Sequence, residues 1–114
     1  MNGAIDPVIH PVNRLRICVG LRAAGATEGG EGPDREMKFS VLRDLTGLTD
    51  ATLSKQLTAL EAHGYVTRHR EYGSSRAEDS VWVSLSAAGV HALEQHLAGL
   101  QEIVNWVDRD ELRE

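Results

Sequence analysis

Apolar residues recur along the chain with two different periods, and the changes of period predict seven elements. Helical spacing marks residues 11–24, and Gly25 closes this first helix. Asp6 and Pro7 give an earlier helix-start signal, with Asp6 as the N-cap. Residues 26–34, rich in glycine, predict a mobile surface loop without a phosphate-binding pattern. The apolar face of the first helix consists of Val12, Leu15, Cys18, Val19 and Leu21.

A short strand over residues 37–39 leads into two helices that are joined by a tight turn at 47–49. The first of these helices, capped by Ser40, runs to about residue 46 with three apolar side chains facing inward. Thr49 or Asp50 caps the second, which ends at about residue 63 before a left-handed Gly64. The inward residues are Val41, Leu42 and Leu45 in the first helix and Leu53, Leu57 and Leu60 in the second.

Two strands, 65–72 and 80–85, predict a β-hairpin with a long tip at 73–79, in which Val81, Val83 and Leu85 share one face. Ser86 then caps a final helix to about residue 107. We therefore predict one domain over residues 1–114, mainly α with a small β-wing. This is an α+β winged helix-turn-helix in the order α-β-α-α-β-β-α.

The helix over residues 50–63 has the composition of a DNA recognition helix. Its leucine stripe fixes one side to the core, and small polar residues occupy the other, where they can reach base edges in the major groove. The candidate readers of DNA are Thr49, Thr52, Ser54, Lys55, Gln56 and Thr58. Candidate contacts to the DNA backbone are Ser40 and the wing residues Arg68, Arg70 and Arg76, with His69 beside them. The alternatives are that this helix is an ordinary solvent-exposed helix and that the arginines form a solvated surface cluster without a role in binding.

The run from Phe39 to Val66 resembles the core of winged-helix transcriptional regulators of the MarR/ArsR type. Its signature is the sequence LSKQL at 53–57, followed by Leu60-Glu61 and by Gly64-Tyr65-Val66. The opening DPVIHP at 6–11, RLRI at 14–17 and LSAAG at 85–89 are similar to the short one-domain subgroup. The resemblance implies a homodimer on a pseudo-palindromic DNA site, usually as a repressor.

The apolar pattern of the last helix predicts contact with a second subunit. Its apolar residues from Val90 to Val107 follow spacings of 3-4-3-4-3, which form an a/d seam. This seam is longer than a small core can cover, so residues 86–107 are interpreted as a dimerisation helix. The alternative is that the helix folds only onto its own domain. The candidate interface residues are Leu15, Val90, Leu93, Leu97, Leu100 and Val104.

The distribution of charge limits which part of the protein we expect to bind DNA. The net charge is −5, and residues 86–114 carry two Arg against six acidic residues, so only the middle of the chain can present a basic face. No stretch has the length of a membrane span and no signal-peptide pattern is present, which predicts a cytoplasmic protein. The single cysteine, Cys18, is interpreted as a buried small hydrophobe, with a redox-sensing thiol as the alternative.

Nothing in the sequence indicates catalysis or a bound cofactor, and no small-molecule effector can be named. A metal site would have to use His91, Glu94 and His96, but a spacing of five places the two histidines on different faces of the last helix. Two alternatives to a DNA-binding repressor stay open. One is a winged-helix module that binds another protein, and the other is an ArsR-like metal-responsive repressor.

Overall fold

Helices and strands follow one another in the order that the hydrophobic pattern predicts. The structure is a computed structural model, and it describes residues 4–29, 35–72 and 80–107. Its elements are α1 (Val12–Ala23), β1 (Met37–Lys38), α2 (Phe39–Thr46), α3 (Asp50–Ala62), β2 (Val66–Glu71), β3 (Ser80–Leu85) and α4 (Ala87–Val104). The predicted α+β winged-helix fold is confirmed. The predicted hairpin tip at 73–79, the loop residues 30–34 and the tail after 107 lie outside the described residues.

Strand β3 lies in the middle of a small antiparallel sheet in the order β1-β3-β2. Met37 of β1 and Arg68 of β2 both stand opposite Val83. Val83 and Leu85 are buried as predicted, whereas Val81 is only half-buried. Ser84 is buried as well, because its hydroxyl donates a hydrogen bond to the carbonyl of Arg35 at 2.9 Å. Strands β2 and β3 form the wing.

The leucine stripe of α3 is the centre of the core. Leu53, Leu57 and Leu60 all have no exposed surface. Removing a leucine side chain from water stabilises the folded state by about 1.5–3 kcal/mol. Around the stripe pack buried residues from the other three described helices, namely Ile17, Cys18 and Leu21 of α1, Leu42 of α2 and Leu93 of α4.

The boundaries of α3 and α4 are fixed by side-chain caps. Thr49 Oγ1 accepts a hydrogen bond from the Thr52 amide at 3.1 Å, and Ser86 Oγ accepts one from the Gly89 amide at 3.0 Å. Each satisfies an amide that has no partner within the helix. Ser86 also donates to the carbonyl of Gly64 at 2.6 Å, where φ is +72°, a left-handed conformation that favours glycine. The start of α4 is thereby tied to the end of α3.

Several expectations for α2 are wrong. Helix α2 begins at Phe39 without a side-chain cap, so Ser40 lies inside the helix rather than before it. Only Leu42 is buried, while Val41 and Leu45 are 51% and 57% exposed. An eight-residue helix presents one narrow strip to the core, and positions 41 and 45 are turned about 100° and about 60° away from Leu42.

The apolar face of α1 is also rotated from the predicted one. Cys18 and Leu21 are buried, but Ile17 joins them, while Val12 and Val19 are 60% and 41% exposed. Burial raises the pKa of the Cys18 thiol to about 12, which favours the buried hydrophobe over a reactive thiolate.

One helix boundary and one loop also differ from the prediction. Helix α4 ends at Val104, three residues before the predicted end. The segment after α1 is anchored at its start, because Ala26 is buried and Thr27 pairs with Leu85 as an isolated parallel bridge. Among the described residues, no helix has the length and apolar character needed to cross a membrane.

Candidate nucleic-acid interface

The outer face of α3 is small and polar. Opposite the buried leucines, Ala51, Ser54, Lys55 and Thr58 are exposed, while Thr52 is half-buried beside the cap residue Thr49. Thr49 donates its hydroxyl proton to Thr52 Oγ1 at 3.0 Å. Helix α2 and the turn at Gly47 hold the N-terminal end of α3 at the surface, where it can approach a groove of DNA.

Asp50 at the start of α3 forms an exposed ion pair with Arg43 of α2. Its Oδ1 accepts a hydrogen bond from Arg43 Nη1 at 3.1 Å, and Arg43 Nε reaches Asp44 at 3.1 Å. These contacts, that to Asp50 first, raise the pKa of Arg43. Asp50 had the wrong charge for a residue that approaches phosphate, and the pair with Arg43 explains how the helix tolerates it.

Gln56 is directed toward α1 rather than toward solvent. It is half-buried, and its Oε1 accepts a hydrogen bond from Arg14 Nε at 2.8 Å. Because arginine only donates, the amide oxygen must be the atom that faces it. Bidentate recognition of adenine needs the same oxygen as an acceptor. A base-reading role for Gln56 therefore requires this oxygen to turn away from Arg14 or to accept a second hydrogen bond.

Arg68 braces the wing against α3. Its Nε and Nη2 donate to Glu61 Oε1 at 3.0 and 2.7 Å, and Nη2 also reaches Thr58 Oγ1 at 3.1 Å. Thr58 in turn donates to the carbonyl of Ser54 at 2.9 Å. The side chains of Arg68 and Glu61 are only 23% and 34% exposed. In this arrangement Arg68 holds two elements together, and its charge is balanced within the protein.

The other side chains that the sequence predicts to contact DNA lie apart from the contacts of Arg68. Ser40 is exposed on α2 and Arg70 is exposed on β2, with its guanidinium carbon 5.9 Å from the Tyr72 ring centroid. His69 Nδ1 lies 2.8 Å from Glu36 Oε2. Arg76 falls outside the described residues. The structure thus brings Arg68 and Thr58 together and leaves Lys55 exposed on the neighbouring turn of α3.

The histidines of α4 lie on different sides of the helix, as their spacing predicts. His91 is exposed, whereas His96 has no exposed surface. Among the residues that the structure describes, no group of three His, Cys, Asp or Glu side chains could hold a metal ion.

Sequence reasoning missed Arg14 and Arg43, which position residues of α3. Arg14 is 42 residues from Gln56 in the chain, so no local pattern could reveal their contact. Arg43 is seven residues from Asp50, across the predicted turn. The opposite charges of Arg43 and Asp50 were the one feature of the sequence that indicated their contact.

A short helix, a tight turn, a core-bound second helix and a β-wing together define a winged helix-turn-helix domain. Residues 33–104 match the family model described as the winged helix DNA-binding domain, and the chain belongs to this family. Its fold is similar to that of solved transcriptional regulators, among them a MarR family member. The sequence has no match among curated proteins.

Solved structures share this fold at low sequence identity. A transcriptional regulator homologue from Pyrococcus horikoshii OT3 superposes with a TM-score of 0.70 at 20% identity, covering 89% of this chain and 88% of its own. The protein ytfH from Salmonella typhimurium gives 0.59 at 23% identity, over 87% and 73% of the two chains. AbsC, a MarR family transcriptional regulator from Streptomyces coelicolor, gives 0.57 at 21% identity, over 93% and 70%.

Proposed function

We propose that this protein is a sequence-specific double-stranded DNA-binding regulator that acts as a homodimeric repressor. The observation that carries the proposal is the division of α3 into two faces. Three leucines fix one face in the core, and the opposite face exposes Ser54, Lys55 and Thr58 beside the small residues Ala51 and Ala62. Small side chains allow a helix to enter the major groove closely, and Lys55 can donate to guanine.

The wing supplies contacts to the DNA backbone. Arg70 is exposed on β2, and it lies on the same hairpin as Arg68, which fixes the angle between the wing and α3. An arginine in this position can contact phosphates beside the groove that α3 enters. Arg68 acts as a brace, and Arg70 with Arg76 contributes the phosphate contacts.

A second copy of the chain covers the end of α4. Ile103, Val104 and Trp106 are 56%, 75% and 78% exposed, and Leu100 is half-buried. Leu93, by contrast, is fully buried by its own domain, so it would not reach a partner directly. The interface therefore lies nearer the end of α4 than the sequence alone indicates. A two-fold dimer would present two copies of α3 to two half-sites of one pseudo-palindrome.

Fluorescence anisotropy with a duplex selected from genomic fragments tests the DNA-binding step. The variant Lys55→Ala removes the central cation of the outer face, and we expect the dissociation constant to rise about 5- to 150-fold, because one base contact contributes about 1–3 kcal/mol. Lys38→Ala is the matched control, since Lys38 lies over the Trp82 ring at 5.5 Å on β1, away from α3. Equal affinities for wild type and Lys55→Ala would contradict the proposed reading face.

A protein-binding module is the second candidate. The net charge of −5 and the pairing of Arg43 and Arg68 with carboxylates favour it over a strongly basic DNA-binding domain. Salt separates the two, because neutralisation of phosphates makes DNA affinity fall steeply as salt rises. If no selected duplex binds with such a dependence, the second candidate replaces the first.

A further inference from the structure

The segment of residues 4–10, here called the N-terminal turn, contacts the link after α3 directly and the middle of α3 through Arg14. Asp6 Oδ1 accepts from the amides of Val8 and Ile9 at 2.8 and 3.3 Å. Asp6 Oδ2 accepts from the hydroxyl of Tyr65 at 2.7 Å, in the link between α3 and β2. The carbonyl of Val8 accepts from Arg14 at 3.2 Å, the same Arg14 that binds Gln56 in α3.

Helix α4 holds the other side of the N-terminal turn. His96 Nδ1 accepts a hydrogen bond from the amide of Asp6 at 2.9 Å. One turn further along, the chain crosses α4 at Gly99, where an added β-carbon would lie 2.9 Å from the carbonyl carbon of Ala4 and 3.1 Å from the Ile5 amide nitrogen. The N-terminal turn therefore joins α4, which is proposed to bind the second subunit, to α3, which is proposed to bind DNA.

The contact with Asp6 fixes the protonation state of His96. A ring nitrogen that accepts a hydrogen bond carries no proton, so the neutral ring bears its proton on Nε2. That nitrogen is buried and has no hydrogen-bond partner among the described residues. A second proton would have to go on Nδ1, where it would face the amide proton of Asp6. Two donors would then meet, and a charged ring would be fully buried.

The groups around His96 hold it in the neutral form. Burial and the nearby ring of His10, whose centroid is 5.4 Å away, lower the pKa of His96, and the Asp6 carboxylate opposes them. Tyr65 and Cys18 interact with the same carboxylate, from the link between α3 and β2 and from α1. Hydrogen bonds from Tyr65, Val8 and Ile9 outweigh burial and lower the pKa of Asp6, so this carboxylate stays ionised.

We propose that the N-terminal turn is a latch that neutral His96 holds closed, and that protonation of His96 opens it and weakens DNA binding by α3. The coupling to DNA rests on the proposed function, whereas the opening of the latch does not. Since the pKa of His96 is lower in the folded than in the unfolded chain, the stabilisation is complete above the ordinary value of 6.5 and is lost as pH falls below it.

Hydrogen exchange of the Asp6 amide, followed by NMR from pH 7.5 to 5.0 and corrected for the intrinsic exchange rate, tests the latch in the wild-type chain. The protection factor is expected to fall below about pH 6.5, by up to about tenfold per pH unit. His96→Asn keeps an acceptor near Asp6 but cannot titrate, so its protection is expected to be independent of pH. His91→Asn is the matched control on the exposed side of α4, and it should behave as the wild type does.

The proposal is overturned if wild-type protection of Asp6 is constant over this range, or if the pH dependence persists in His96→Asn. If that variant does not fold, the wild-type His96 ring resonances decide, since they must titrate together with the Asp6 amide shift. Anisotropy with the selected duplex at each pH tests the coupling. Unchanged affinity while the amide loses protection overturns the coupling alone, and absence of DNA binding at every pH overturns the proposed function but leaves the latch.

Discussion

Helices α3 and α4 each carry a stripe of apolar residues, but they bury it differently. In α3, all three leucines of the stripe are fully buried by the chain itself. In α4, burial decreases along the helix, from a fully buried Leu93, through half-buried Leu97 and Leu100, to Val104 at 75% exposed. Similar spacings of leucine thus serve two purposes, which only the position of each helix in the fold distinguishes.

The difference separates what folds the domain from what assembles it. Helix α3 lies between α1, α2 and the sheet, so every turn of its inner face meets another element. Helix α4 leaves that core after Leu97, the N-terminal turn crosses it at Gly99, and Ile103 and Val104 at its end are exposed. We therefore expect substitutions in the α3 stripe to change stability and substitutions at the end of α4 to change association.

The largest effect is expected for Leu57→Ala in α3. A fully buried leucine leaves a cavity when it is truncated, and the free energy of unfolding should fall by about 2–5 kcal/mol. Urea denaturation followed by circular dichroism measures it. Leu100→Ala, half-buried in α4, is the matched control and should cost clearly less in dilute protein. Equal losses would remove the distinction between the two helices.

The next effect is expected for Val104→Asp at the end of α4. Full burial of a valine contributes about 1.5–3 kcal/mol, so a buried charge there should raise the dimer dissociation constant tenfold or more. Light scattering over a concentration series measures this constant. His91→Asp tests charge alone on an exposed position on the other side of the same helix. A wild-type protein that stays monomeric at tens of micromolar would refute the interface.

A smaller effect is expected for Thr49→Ala, which removes the cap of α3. The Thr52 amide loses its acceptor, and the free energy of unfolding should fall by about 1 kcal/mol. Thr49→Ser retains the hydroxyl oxygen and should restore most of it. Thermal unfolding of the three proteins provides the comparison, and a cap that contributed nothing would leave all three midpoints together.

The smallest effect is expected for Glu61→Gln, which weakens the brace between α3 and the wing. Stability should fall by less than about 1 kcal/mol, because the pair is partly exposed. The freed Arg68 can then reach phosphate, so DNA affinity should rise at low salt, with a salt dependence steeper by about one charge. Glu71→Gln on β2 is the control. A loss of affinity would mean that the brace itself is needed for binding.

Repeating spacings were the reliable part of the sequence. The α3 stripe, the cap Ser86 and the left-handed Gly64 were predicted, and Thr49 is the cap of the two residues, Thr49 and Asp50, that the sequence left open; each depends on neighbours within four residues. The failures at Val41, Leu45 and Ser40 arose in a helix of two turns, where the pattern is too short to define a face.

The polar contacts of the candidate site could not be predicted in the same way. Gln56 is a suitable base reader by residue type, but its partner Arg14 comes from another helix. Arg68 likewise looks like a phosphate contact until Glu61 is placed beside it. Residue types indicate which surface could bind DNA. Tertiary contacts determine which side chains on that surface can still reach DNA.

Ser84 has a consequence for how the chain could be altered. Its hydroxyl donates to the carbonyl of Arg35 at 2.9 Å and lies 3.5 Å from that of Ala26, while the backbone of Leu85 bonds to both Ala26 and Glu28. Strand β3 therefore holds both ends of the segment between α1 and β1. Lengthening that segment would cost only loop-closure entropy, about 0.6 kcal/mol per doubling. We expect an inserted label or affinity tag in this segment to leave α3 undisturbed.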